Sequence, residues 1–67
     1  MELSARNRLP GTVKAIKLGE VMAEVTLQVG EHEVVSAITR ASVERPGLKV
    51  GGQATAIIKA TEVMIAK

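Results

Sequence analysis

The chain has 67 residues, 46% of them hydrophobic, with nine Lys/Arg against seven Glu and a net charge of +2. That length allows one domain, residues 1–67, and sits near the lower limit for a self-sufficient core. With no cysteine and a single histidine, His32, neither a disulfide framework nor a structural zinc site is available as a staple, which leaves oligomerisation.

In chain order, LPGTVKAIKLGE (9–20) is rich in strand formers, but its alternation slips between Val13 and Ile16. A bulge there would return both side chains to one face. Pro10 falls near the start of this strand, where a missing N–H is tolerable, and Gly19 marks the next turn. VMAEVTLQV (21–29) alternates cleanly: Val21, Ala23, Val25, Leu27 and Val29 share one face, as in a half-buried strand. Gly30-Glu31 supplies a turn, and HEVVSAIT (32–39) returns as the second arm of a β-hairpin.

RASVERPGLKVGG (40–52) breaks the strand pattern. Thr39 or Ser42 is a candidate cap for a short helical turn with Glu44 in its early part, ended by Pro46-Gly47, and Gly51-Gly52 forms another turn. QATAIIK (53–59) and TEVMIA (61–66) read as two strands, or as one long strand bent near Ala60. Five β segments and one helical turn predict an all-β, five-stranded, Greek-key barrel of the OB type.

Other function classes are argued down by what the chain lacks. It has no aromatic residue, so the stacking platforms of single-strand nucleic-acid binders are missing. Its cations are scattered among glutamates rather than gathered in a run, unlike most nucleic-acid domains. No apolar run approaches the ~18 residues of a membrane span, and MELSARNRLPG has no signal-peptide core, so a cytoplasmic location is the default expectation. No enzyme is expected: there is no Asp, and no nucleophile–base pair can be named.

What stands out is a set of hydrogen-bond donors. Ser4, Arg6 and Asn7 cluster before the first strand, Thr39 and Ser42 flank the helical turn, and Lys59 stands in the apolar stretch AIIKATEVMIA (56–66). A tetrahedral oxyanion accepts hydrogen bonds on every oxygen, and a helix N-terminus adds favourable partial charge. Each bond to a charged group contributes roughly 1.5–3 kcal/mol, so five or six could offset the drying of a dianion if they converge. Each part also has a plainer reading: a solvated N-terminal arm, a pair of helix caps, and a lysine that snorkels to water.

The combination is more specific than its parts. SARNRLPGTV, GEVMAEVTL, SAITRASVE and AIIKATEVMI resemble the molbindin family, the Mop-type or TOBE-type molybdate-binding domains, over about Leu3 to Ile65. The resemblance implies an OB-fold domain that exchanges strands in a dimer and assembles as a trimer of dimers, a hexamer. It implies cytoplasmic storage and homeostasis of molybdate, with tungstate as the alternative ion, in a protein of one such domain. No catalytic cofactor is implied, and the metal is held as its oxyanion, not by side chains directly.

By position, the resemblance brings Ser4 and Arg6 to the oxyanion with Asn7 close by. Thr39 and Ser42 would come from a neighbouring subunit, Ala41 and Val43 would offer backbone, and Lys59 and Ala60 would give an ammonium and an amide. Arg8 stands where relatives often carry Gln, Pro10 where many carry Lys, and Glu31-His32 in a turn that is commonly Gly-rich. Two competing readings have distinct tests. An OB-fold nucleic-acid binder would give a salt-sensitive gel shift indifferent to molybdate. A purely structural oligomerisation module would show no thermal shift with either oxyanion.

Overall fold

The computed structural model describes residues 6–67, and Ser4 lies outside them. Strand β1 (Asn7–Leu18) is the long element of the fold. It is followed by β2 (Met22–Val29), β3 (His32–Thr39), the five-residue helix α1 (Arg40–Glu44) and β4 (Gln53–Ile58). The four strands form one antiparallel sheet in the order β3-β2-β1-β4. The mostly antiparallel sheet with one short helix is the OB-like architecture expected, with four strands among the described residues in place of five.

The missing fifth strand is a correction. Ala60–Glu62 forms a 3-10 turn, and residues 63–67 follow it in no regular structure and exposed. TEVMIA has the alternation of a strand, but alternation supplies no hydrogen-bonding neighbour. β3 and β4 form the two edges of the sheet, and neither takes this segment as a partner.

The bulge is where the alternation slips. Val13 pairs with Leu27 and Ala15 with Thr26, so Lys14 is the extra residue. Val13 becomes the most deeply buried side chain, 1% exposed, and Ile16 packs against the same core. The bulge is also a junction: Val13 N donates to Gly52 O and its carbonyl accepts from Gly51 N, both at 2.8 Å.

β1 serves two partners in turn. Its second half pairs with β2 from Thr12 onward, and its first half, Asn7–Thr12, pairs with β4. Beyond the end of β2 the first half and β4 therefore continue as a two-stranded ribbon. Pro10 lies within this ribbon rather than at the strand's start, paired with Thr55. Its other side has no β2 neighbour, so the missing N–H breaks nothing there. Where β2 does reach, Gly11 allows the approach: a Cβ on it would lie 2.5 Å from Gln28 O.

The hairpin forms as expected, with β2 starting one residue later than the alternation suggests. Ala23, Val25 and Leu27 are buried and Val29 packs beside them, whereas Val21 is 73% exposed. Gly30 takes a φ of 58° at the first of two loop positions, the Gly-first form of a tight hairpin. Thr39 is the helix cap: its Oγ1 accepts from Ser42 N at 3.2 Å. Glu44 closes the helix rather than opening it, and its carboxylate accepts from Arg40 Nε one turn back at 3.2 Å.

The core consists of Val13, Ala23, Val25, Leu27 and Val43. It is small, as expected of a chain this short without aromatic residues. Beside it, a cavity of about 480 Å³ opens between the inner face of β2–β3 and β4, lined by Val25, Leu27, Val34, Ile38, Ala56 and Ile58 among others.

Candidate functional site

The ribbon builds one corner of the candidate site. Asn7 pairs with Ile58, and Asn7 Nδ2 donates to the Ile58 carbonyl at 3.2 Å. The ladder ends with that pair, and Arg6 and Lys59 are the next residues on its two strands, just outside it. Both cations are exposed while Asn7 and Ile58 are half-buried. Ala60 follows as the first residue of the 3-10 turn, with Lys59 at its N-cap. Residues more than fifty positions apart in sequence thus become neighbours through backbone pairing alone.

Thr39, Ala41, Ser42 and Val43 form a second corner. Thr39 Oγ1 and Ser42 Oγ are hydrogen-bonded at 2.7 Å, and both residues are exposed, as is Ala41. Val43 is 4% exposed and belongs to the core, so only its backbone can face a ligand. Arg40 N donates to Val21 O at 2.7 Å, which fixes the helix start against the β1–β2 turn.

The two corners lie at opposed ends of the sheet. Thr39 pairs with Met22, level with the end of β1, whereas Asn7 is its first residue. Eleven steps of β1, at roughly 3.3 Å each before the bulge and coiling shorten the path, run between those ends. β3 and β4 are also separated by two strands in sheet order. Within one copy, then, the expected donors among the described residues form two half-sets.

Charge is arranged in the same sense. Lys14 pairs with Glu33 across the outer face, and Arg40 pairs with Glu44. Among the described residues, Arg6 and Lys59 enter no ion pair. Neither ribbon strand, Asn7–Thr12 or Gln53–Ile58, contains a carboxylate. Two exposed cations at the same end of the ribbon make that end favourable for an anion. Arg8, which stands where relatives often carry Gln, is exposed on the outward face of the ribbon two residues from Arg6. The alternation of Arg-Asn-Arg was the signal for it. The cavity beside the core is aliphatic and offers a dianion almost nothing.

A model of the TOBE domain matches residues 3–65. The chain belongs to the TOBE-domain family. Within that family its relatives are of the molbindin type. Molybdenum-pterin-binding protein 3 of Clostridium pasteurianum is 50% identical over 66 residues, which cover 97% of each chain. Among solved structures, a molybdate-binding protein from Sporomusa ovata superposes with a TM-score of 0.94 at 43% identity, covering the whole of both chains. The cytoplasmic molybdate-binding protein ModG, in a form with molybdate bound, gives a TM-score of 0.84 at 51% identity, over 90% of this chain and 43% of that one. This TOBE domain therefore has the backbone of a molbindin throughout. No helix among its described residues is long and apolar enough to cross a membrane.

Proposed function

We propose that this TOBE domain binds molybdate, with tungstate as the alternative guest, and serves as a cytoplasmic store and buffer of the oxyanion. The observation that carries the reading is the TM-score of 0.94 to a molybdate-binding protein, over the full length of both chains and at 43% identity. The action is reversible capture by pre-positioned donors. Arg6 and Lys59 supply charge, the Ala60 amide supplies an N–H group and Ser4 adds a hydroxyl, while Asn7, close by on the inward face, bonds the Ile58 carbonyl and holds the end of the ribbon in place. The Thr39–Val43 corner of a neighbouring copy completes the shell with two hydroxyls and the backbone of Ala41 and Val43. Molybdate and sulfate are both tetrahedral dianions, so selectivity comes from the size of the cavity that the two copies enclose.

Assembly is part of the proposal: a strand-exchanged dimer, three of which form a hexamer. Two observations support it. Val63, Met64 and Ile65 are 46%, 93% and 89% exposed at the end of the chain. The aliphatic cavity between β3 and β4 is lined by both edge strands, with room for an apolar segment. The tail of one copy laid along that slot in another would supply the absent fifth strand. Because the guest binds only the assembled form, it stabilises that assembly by mass action.

Calorimetric titration with molybdate, tungstate and sulfate, on protein whose mass has been measured by sedimentation, tests the reading. Molybdate and tungstate should bind at a fixed ratio to the assembly, with sulfate far weaker. Absence of heat and of any thermal shift with both metal oxyanions would refute it.

A further inference from the structure

The outward face of the β1–β4 ribbon carries one cation more than the proposed shell uses. Arg8 pairs with Ile57 and is exposed on the outward face of the ribbon, two residues from Arg6. Lys59 is two residues beyond Ile57 and lies just past the end of the ladder. The register continued to Lys59 would make it the diagonal neighbour of Arg8, roughly 7–8 Å away and within reach of long side chains. The inward face of the same ribbon carries Asn7, Leu9, Ala56 and Ile58, all half-buried, so Arg8 has no share in the core. The carboxylate nearest in sequence to this face among the described residues is Glu62, on the 3-10 turn beyond Ala60.

We propose that Arg8 adds to the charge selectivity of the oxyanion site, increasing its preference for a tetrahedral dianion over a tetrahedral monoanion of similar size. The inference rests on the oxyanion reading above and adds a residue to it. In the proposed shell Arg6 and Lys59 donate to the guest. Arg8 stands further along the ribbon and acts through its field. Its attraction scales with the charge of the guest, so it is twice as large for a dianion as for a monoanion. Size and hydrogen-bond geometry cannot make that distinction, because both guests present four oxygens in the same arrangement. The field of an exposed cation is also screened by salt, whereas direct donation inside a closed shell is screened much less.

The test compares the unaltered protein with Arg8→Gln and Arg8→Lys, titrating molybdate and perrhenate, a tetrahedral monoanion, at low and high ionic strength. Arg8→Gln should weaken molybdate binding about three- to tenfold at low salt. It should lower the molybdate-to-perrhenate preference and flatten the dependence of molybdate affinity on salt. Arg8→Lys keeps the charge and should restore both. A merely structural role for Arg8 would weaken both anions equally and leave the salt dependence as it was. That outcome, or no change in Arg8→Gln, overturns the assignment of Arg8 and leaves the oxyanion site standing. Failure of the unaltered protein to bind molybdate overturns the oxyanion reading and this inference together.

Discussion

Replacing Lys59 by methionine removes the charge and keeps most of the stem. Lys59 is exposed and follows the last residue of β4, outside the β1–β4 ladder and the core, so the fold has little to lose. Its neighbour Ile58 holds the inward position, which the substitution leaves alone. The loss should therefore fall on the guest. A hydrogen bond to a charged group contributes about 1.5–3 kcal/mol net, which corresponds to a rise in Kd of roughly 10- to 150-fold. Isothermal titration with molybdate measures the change, and sedimentation of the same sample checks that the assembly is unaltered. Wild-type affinity in a folded Lys59→Met assembly would remove Lys59 from the site and refute the argument from ribbon register.

Other outcomes follow from the same geometry. Thr39→Val removes the cap bond to Ser42 N and the partner of Ser42 Oγ, and should cost about 0.5–2 kcal/mol in thermal or denaturant unfolding; it should also weaken molybdate binding, while Thr39→Ser restores both. Deleting residues 63–67 removes three exposed apolar side chains whose burial in a partner is worth roughly 1.5–3 kcal/mol each, so sedimentation velocity should record a smaller species. An unchanged mass would dismiss the tail as the exchanged strand. Gly11→Ala sets a Cβ against Gln28 O and Val29 Cγ2 and should lower stability by about 1–3 kcal/mol in chemical denaturation.

The hairpin was legible because its arms carry a period of two and its loop begins with glycine, both local signals. So was the bulge, since two large aliphatic residues three apart in a strand can reach one core only if a residue is inserted. The cap was legible in part: Thr39 and Ser42 both qualified by chemistry, and backbone geometry chose Thr39. The fifth strand was misread because alternation records which side of a segment is apolar, not which strand lies beside it. Within one copy TEVMIA finds no such neighbour. The site was harder still. That Arg6 and Lys59 come to the same end of the ribbon depends on the pairing of the first strand with the last, a contact that no window of sequence contains. The ladder from Asn7–Ile58 to Thr12–Gln53 makes that pairing.

Ala54, Ala56 and Ile58 turn inward while Thr55, Ile57 and Lys59 turn out. A slip of β4 by a single residue would exchange these sets, drawing the Lys59 ammonium and the Thr55 hydroxyl toward the apolar side. The greasy side of the strand thus acts as the gauge for the charged side. In the proposed site, fidelity in choosing a guest would be inherited from packing that the guest never touches.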